Sequence, residues 1–113
     1  MPLIVQDVAL QMIRTLKPLV DQVQRHDRAL ADQMRRAASS VVLNIAEGAR
    51  SHGKNEVARF HCAAGSANET RAALKLAVAW QYFDEAQSQA ADDQLDRVLA
   101  LLWGLTRRPR RGR

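Results

Sequence analysis

The sequence predicts an all-α protein, an antiparallel up-down-up-down four-helix bundle. Three observations carry that prediction. Apolar residues recur at spacings of three and four along most of the chain, and no alternating strand pattern competes with them. Of the 113 residues 47% are hydrophobic but only 4% aromatic, so the core must be built from small and aliphatic side chains, which suit closely packed helices. A chain of this length builds one domain, and long helices with short connections pack as antiparallel neighbours.

The first helix is marked by Val8, Met12, Leu16, Leu19 and Val23, with Ala9, Ile13 and Val20 widening the stripe. Pro18 lies inside it and removes a backbone donor, which predicts a kink or a break into two pieces. Asp27 is placed to cap the second helix, which runs from about Arg28 to about Arg50 with Leu30, Met34, Ala37, Val41 and Ile45 on one face. Residues 51–54 connect it to the third helix, with Gly53 as a left-handed terminator. From Asn55 onward Val57, Phe60, Ala64, Ala67, Leu74 and Val78 are in phase, and Arg71 interrupts their stripe. Residues 84–91 read as a polar connection, with Ser88 capping a fourth helix whose buried face is Leu95, Val98, Leu99, Leu102 and Leu105. Trp80 and Trp103 fall beside apolar stripes, which predicts burial. The bundle is expected over residues 1–106, and 107–113 as a basic tail without regular structure.

Charge is unevenly placed. The net charge is +5, and Arg107, Arg108, Arg110, Arg111 and Arg113 supply five of the 17 basic residues, which leaves 12 against 12 acids before them. Basic residues outnumber acidic ones up to Lys75, whereas Asp84, Glu85, Asp92, Asp93 and Asp96 make the last helix acidic. The single cysteine, Cys62, excludes an internal disulfide framework and any cysteine-based zinc cluster. No signal peptide or membrane-spanning run is visible, so a cytoplasmic protein without a membrane partner is expected.

Enzyme chemistry finds little support. A carboxylate-bridged di-iron bundle needs Glu-x-x-His on two helices, but Arg50, Arg59 and Ala72 stand three positions after Glu47, Glu56 and Glu69. The three histidines, His26, His52 and His61, share no ligand spacing. His61 and Cys62 are adjacent and point about 100° apart on a helix, so they cannot form a nucleophile-base pair, and Cys62 reads as a small packing residue. No metal, cofactor or catalytic residue is expected.

What stands out is Asn-Ile-Ala-Glu-Gly, residues 44–48, which puts an amide, a carboxylate and a glycine at the end of an apolar run. Arg36, Ser40, Asn44 and Glu47 line one side of the second helix; Ser66, Glu69 and Arg71 lie within two turns of the third. With Gly65 allowing close approach, Arg36, Asn44, Glu47, Ser66 and Glu69 are expected to form a polar lock between the two helices. The same groups could instead face a subunit interface or a pore.

The run Arg35 to Gly48, followed by Phe60, Gly65, Ser66 and Glu69, resembles the four-helix-bundle family encoded in intervening sequences of bacterial 23S ribosomal RNA genes. The likeness covers roughly Leu10 to Phe83 well and the last helix more weakly. That family is in turn similar to the accessory bundle of diversity-generating retroelements, a pentameric barrel that associates with reverse transcriptase and nucleic acid. The resemblance implies a homo-oligomer, a pentamer, with a basic surface. The retroelement bundles are strongly basic, whereas the body of this chain is neutral.

Arginine grips phosphate bidentately, and an arginine-rich arm needs no preformed groove. RNA or DNA is therefore the expected partner, contacted by Arg35, Arg36, Arg50, Lys54 and Arg59 together with Arg107, Arg108, Arg110, Arg111 and Arg113. The alternative is a protein-binding scaffold, an accessory subunit for a polymerase or reverse transcriptase, docking through the acidic last helix or a face of the barrel.

Overall fold

The computed structural model describes residues 4–107. It contains four helices, α1 (Ile4–Gln24), α2 (Arg28–Ala49), α3 (Gly53–Ala79) and α4 (Glu85–Arg107), and no strand among the described residues. Each helix packs against its neighbour in sequence, and α1 also packs on α4, which closes a four-helix ring. The 22 × 21 Å cross-section is that of two helices by two. The up-down-up-down bundle is therefore present.

α1 remains one helix through Pro18. The proline is exposed, so the backbone carbonyl that loses its donor lies on the solvent side, where hydration replaces the hydrogen bond. α2 starts as its sequence implies: Asp27 is in an extended conformation and its carboxylate accepts from the Leu30 N–H at 2.9 Å. The helix ends on Arg50 in right-handed geometry, and the left-handed residue, Gly53 at φ +61°, opens α3 instead of closing α2.

The fourth helix begins earlier than its polar composition implied. Asp84 and Gln87 form a reciprocal capping box, each side chain bonding the other's backbone N–H at 2.8 and 3.0 Å, so α4 starts at Glu85. Ser88 is then an interior, buried residue whose hydroxyl donates to the Glu85 carbonyl, and it caps nothing.

α3 ends in a motif that glycine usually serves. Gln81 has φ +64°, its N–H donates to the Val78 carbonyl, and the Tyr82 N–H reaches back to Ala77, both at 2.9 Å. This pair of bonds satisfies two of the last carbonyls of the helix.

The core runs the length of the ring. Met12, Met34, Ile45, Phe60, Leu95 and Leu102 are all essentially sealed from solvent, each contributing roughly 1.5–3 kcal/mol of burial. α3 buries Ala63, Ala67, Thr70, Ala73 and Ala77 around Phe60 and Leu74; Val57, Ala64 and Val78 are only partly buried. With so many alanines the helices lie close, and no room remains inside for an indole. Trp80 and Trp103, expected in the core, are each 62% exposed.

Candidate functional site

The seam between α2 and α3 holds the polar residues that the sequence set apart. Ser66 donates its hydroxyl to Ser40 at 2.8 Å, the direct side-chain bond across the seam. Asn44 donates to both the hydroxyl and the carbonyl of Ser40, at 3.0 Å each, and Thr70 donates to the Ser66 carbonyl at 2.8 Å. This small chain of hydroxyls and one amide is part-buried and satisfied, which suits a register device.

The charged residues expected in the lock lie outside it. Arg36 pairs with Asp32 one turn back, Glu47 pairs with Arg50, and Glu69 is exposed. Long charged side chains at a solvent edge keep their heads in water, leaving the short hydroxyls to cross. Gly65 plays no part in close approach, since a Cβ there would meet nothing within 4 Å. The glycine that does is Gly48, where an added Cβ would stand 2.5 Å from the Phe60 ring. Residues 44–48 thus combine an amide that joins the seam, a surface ion pair and a seat for the one phenylalanine sealed in α3.

Arg71 interrupts the α3 stripe because it crosses to α4. Its guanidinium bonds Asp92 at 3.0 Å, the Asp92 carbonyl at 3.3 Å, and Asp96. Burial works against the Arg71 charge, but the Asp96 and Asp92 carboxylates more than offset it and hold the group above its ordinary range. The acidic last helix thereby commits two of its carboxylates to pairing with α3. The sequence held both signals, the misplaced arginine and the acids, but not their pairing.

At the end where α1 meets α2 and α3 meets α4, the two loops are tied together. Tyr82 donates its hydroxyl to Asp27 at 3.1 Å while Asp27 caps α2, Gln22 donates to the Tyr82 carbonyl at 3.0 Å, and His26 stacks on the Tyr82 ring at 5.3 Å. Desolvation, followed by the Asp27 carboxylate, pushes the Tyr82 phenol above its ordinary 10.0.

The opposite end carries the cations. Arg50, Lys54 and Arg59 flank the α2–α3 connection and Arg107 closes α4, all exposed. Lys54 and Arg59 make no ion pair among the described residues, and Arg107 lies 4.6 Å over the Trp103 ring. Arg35 and Arg36 belong elsewhere: they precede Arg50 by four turns of α2, roughly 21 Å, and Arg35 bonds Gln24 at 2.6 Å. Residues 108–113, which hold the remaining arginines, lie outside the described residues.

Among the described residues no three His, Cys, Asp or Glu side chains come together to hold a metal ion. Cys62 is exposed on α3 and not a packing residue. The concavities are shallow grooves between neighbouring helices, the one between α3 and α4 enclosing about 400 Å³ beside Lys75, Glu85 and Asp92. No helix among the described residues is long and apolar enough to cross a membrane.

Comparison with known proteins gives three findings. No curated protein matches the chain. A solved structure from Bacteroides thetaiotaomicron, a protein of unknown function from the S23 ribosomal protein family, has the same fold, with a TM-score of 0.83 at 20% identity over 93% of this chain and 100% of that one. The family model described as 23S rRNA-intervening sequence protein matches residues 2–104, nearly the whole length. The bundle, with its hydroxyl seam and basic end, belongs to the 23S rRNA-intervening sequence protein family.

Proposed function

We propose that this protein is a non-enzymatic, cytoplasmic, oligomeric bundle that associates with RNA or DNA through one basic end. The observation that carries this reading is the gathering of Arg50, Lys54, Arg59 and Arg107 at the end of the bundle where the sequence continues into Arg108, Arg110, Arg111 and Arg113. Lys54 and Arg59, exposed and without an ion pair among the described residues, lose little on meeting a phosphate backbone and gain from counterion release, while Arg50 has only to part from its surface pair with Glu47. Arg35 and Arg36, remote from that end, are secondary contacts.

Oligomerisation multiplies the effect. By resemblance to the retroelement bundle the assembly is a homopentamer, and exposed Leu43 on α2 and Leu76 on α3 offer apolar surface to a second copy. Five tails, each with the five arginines from Arg107 to Arg113, would present on the order of 25 arginine charges on one particle, and weak contacts would add through effective concentration.

The test is a salt titration of binding to a labelled RNA and a labelled duplex DNA, comparing the full chain with one ending at Thr106, with the mass of both recorded by light scattering. A steep negative dependence on salt that truncation largely removes supports the reading. Absence of binding at low salt, with both forms the same oligomer, overturns it and favours the protein-scaffold alternative.

A further inference from the structure

Trp103 and Arg107 lie one turn apart on α4, with the guanidinium carbon 4.6 Å from the ring centroid, yet the tryptophan remains 62% exposed. A cation over one face restrains the ring without hiding it. Arg71 bonds Asp92 and Asp96, so the register of α4 against α3 is known. At about 1.5 Å per residue, Trp103 lies roughly 10–16 Å farther along, toward the end where α3 begins with Gly53 and Lys54. The indole therefore stands in the basic half of the bundle, one turn before Arg107, with Lys54 roughly 10–15 Å farther along. Trp80, equally exposed, stands at the other end, next to Asp84 and Glu85.

We propose that Trp103 is a stacking platform for an unpaired base, and that the partner of the basic end is a single-stranded nucleic acid. This rests on the nucleic-acid reading above and narrows it. A duplex keeps its bases stacked on one another and offers this end only its phosphates, whereas a single strand can place a base on the indole while the cations follow its backbone. Stacking needs only a π-face, so recognition is tolerant of sequence.

The experiment uses the full chain, with the substitution Trp80→Phe as parent so that Trp103 is the sole tryptophan. The probes are a 12-nucleotide oligouridine and a blunt-ended RNA duplex of the same length, which has no unpaired base. Binding of the oligouridine should quench the emission of Trp103. Trp103→Ala should weaken oligouridine binding about tenfold or more, Trp103→Phe should keep most of it, and the duplex affinity of both should stay within about twofold of the parent. Trp103 is exposed, so the variants should retain the parent's helical circular dichroism. Oligouridine bound as tightly by Trp103→Ala as by the parent, without quenching in the parent, overturns the platform and leaves the charge-based reading standing. Failure of the parent to bind either probe at low salt overturns both.

Discussion

The two ends of the bundle are built differently. At one, Asp27, Tyr82, Gln22 and Gln87 tie the α1–α2 loop to the α3–α4 loop, and the acids Asp84 and Glu85 share that end with Arg25 and Arg28. At the other, the α2–α3 connection and the end of α4 present Arg50, Lys54, Arg59 and Arg107 with an exposed tryptophan. The first end satisfies its polar groups internally and so contributes to holding the fold. The second leaves Lys54 and Arg59 to solvent and holds Arg50 only in a surface pair with Glu47, which stabilises little and keeps these cations available. The difference separates residues that hold the molecule together from residues free to meet a partner.

Substitutions that act on the fold sharpen this contrast, since they should change stability without touching the basic end. The largest effect is expected from Gly48→Ala. Its Cβ meets a ring that is 2% exposed and has nowhere to go, and this overpacking outweighs the gain in helix propensity, for a net loss of about 1–2 kcal/mol in urea denaturation. A second substitution, Phe60→Leu, should couple with it and recover part of the clash. Arg71→Ala comes next, at about 1 kcal/mol, because the half-buried Asp92 loses its partner while the more exposed Asp96 is readily solvated.

Gln81→Gly should act in the opposite sense. The residue holds a left-handed conformation that a side chain makes costly, and glycine there should stabilise by about 0.5–1 kcal/mol, read as a higher urea midpoint at unchanged slope. The smallest effect concerns Tyr82→Phe. The phenol is raised above 10.0 in the fold, so the folded chain holds this proton more tightly than the unfolded one. Its contribution is complete below pH 10 and is lost as pH rises through the raised value. The variant should therefore lose stability less steeply above pH 10. Because Tyr82 is the only tyrosine, its ultraviolet titration should show a midpoint above 10.0 directly, and an unshifted one would break the proposed bond to Asp27.

Most of the fold was legible where local chemistry decides it. Asp27 as a cap and the stripes of α1 and α2 follow from spacing alone. α3 was harder, because small apolar residues surround it and periodicity could not tell Ala63, Ala73 and Ala77 inside from Ala58 and Ala72 outside. The early start of α4 was written in Asp84 and Gln87 but hidden by the polar residues around them. The pairing of Arg71 with residues 21 and 25 positions away depends on how α3 and α4 rotate against each other, which no local pattern reports. For the candidate site, the cations were visible, but the separation of Arg35 and Arg36 from Arg50, Lys54 and Arg59 required the helix geometry. The tryptophans were misplaced because proximity to a stripe implies burial only where the core has room.

The measurement that bears most directly on the contrast between the ends is charge reversal at each in turn. Lys54→Glu with Arg59→Glu alters the open end, and Arg25→Glu with Arg28→Glu alters the tied one; all four residues are exposed. Affinity for a labelled single-stranded RNA would be followed across salt concentrations, with helicity checked for each variant. The first pair should sharply weaken binding and shallow its salt dependence, while the second pair should leave both nearly unchanged. Equal losses from the two pairs, or a greater loss from the second, would contradict that contrast.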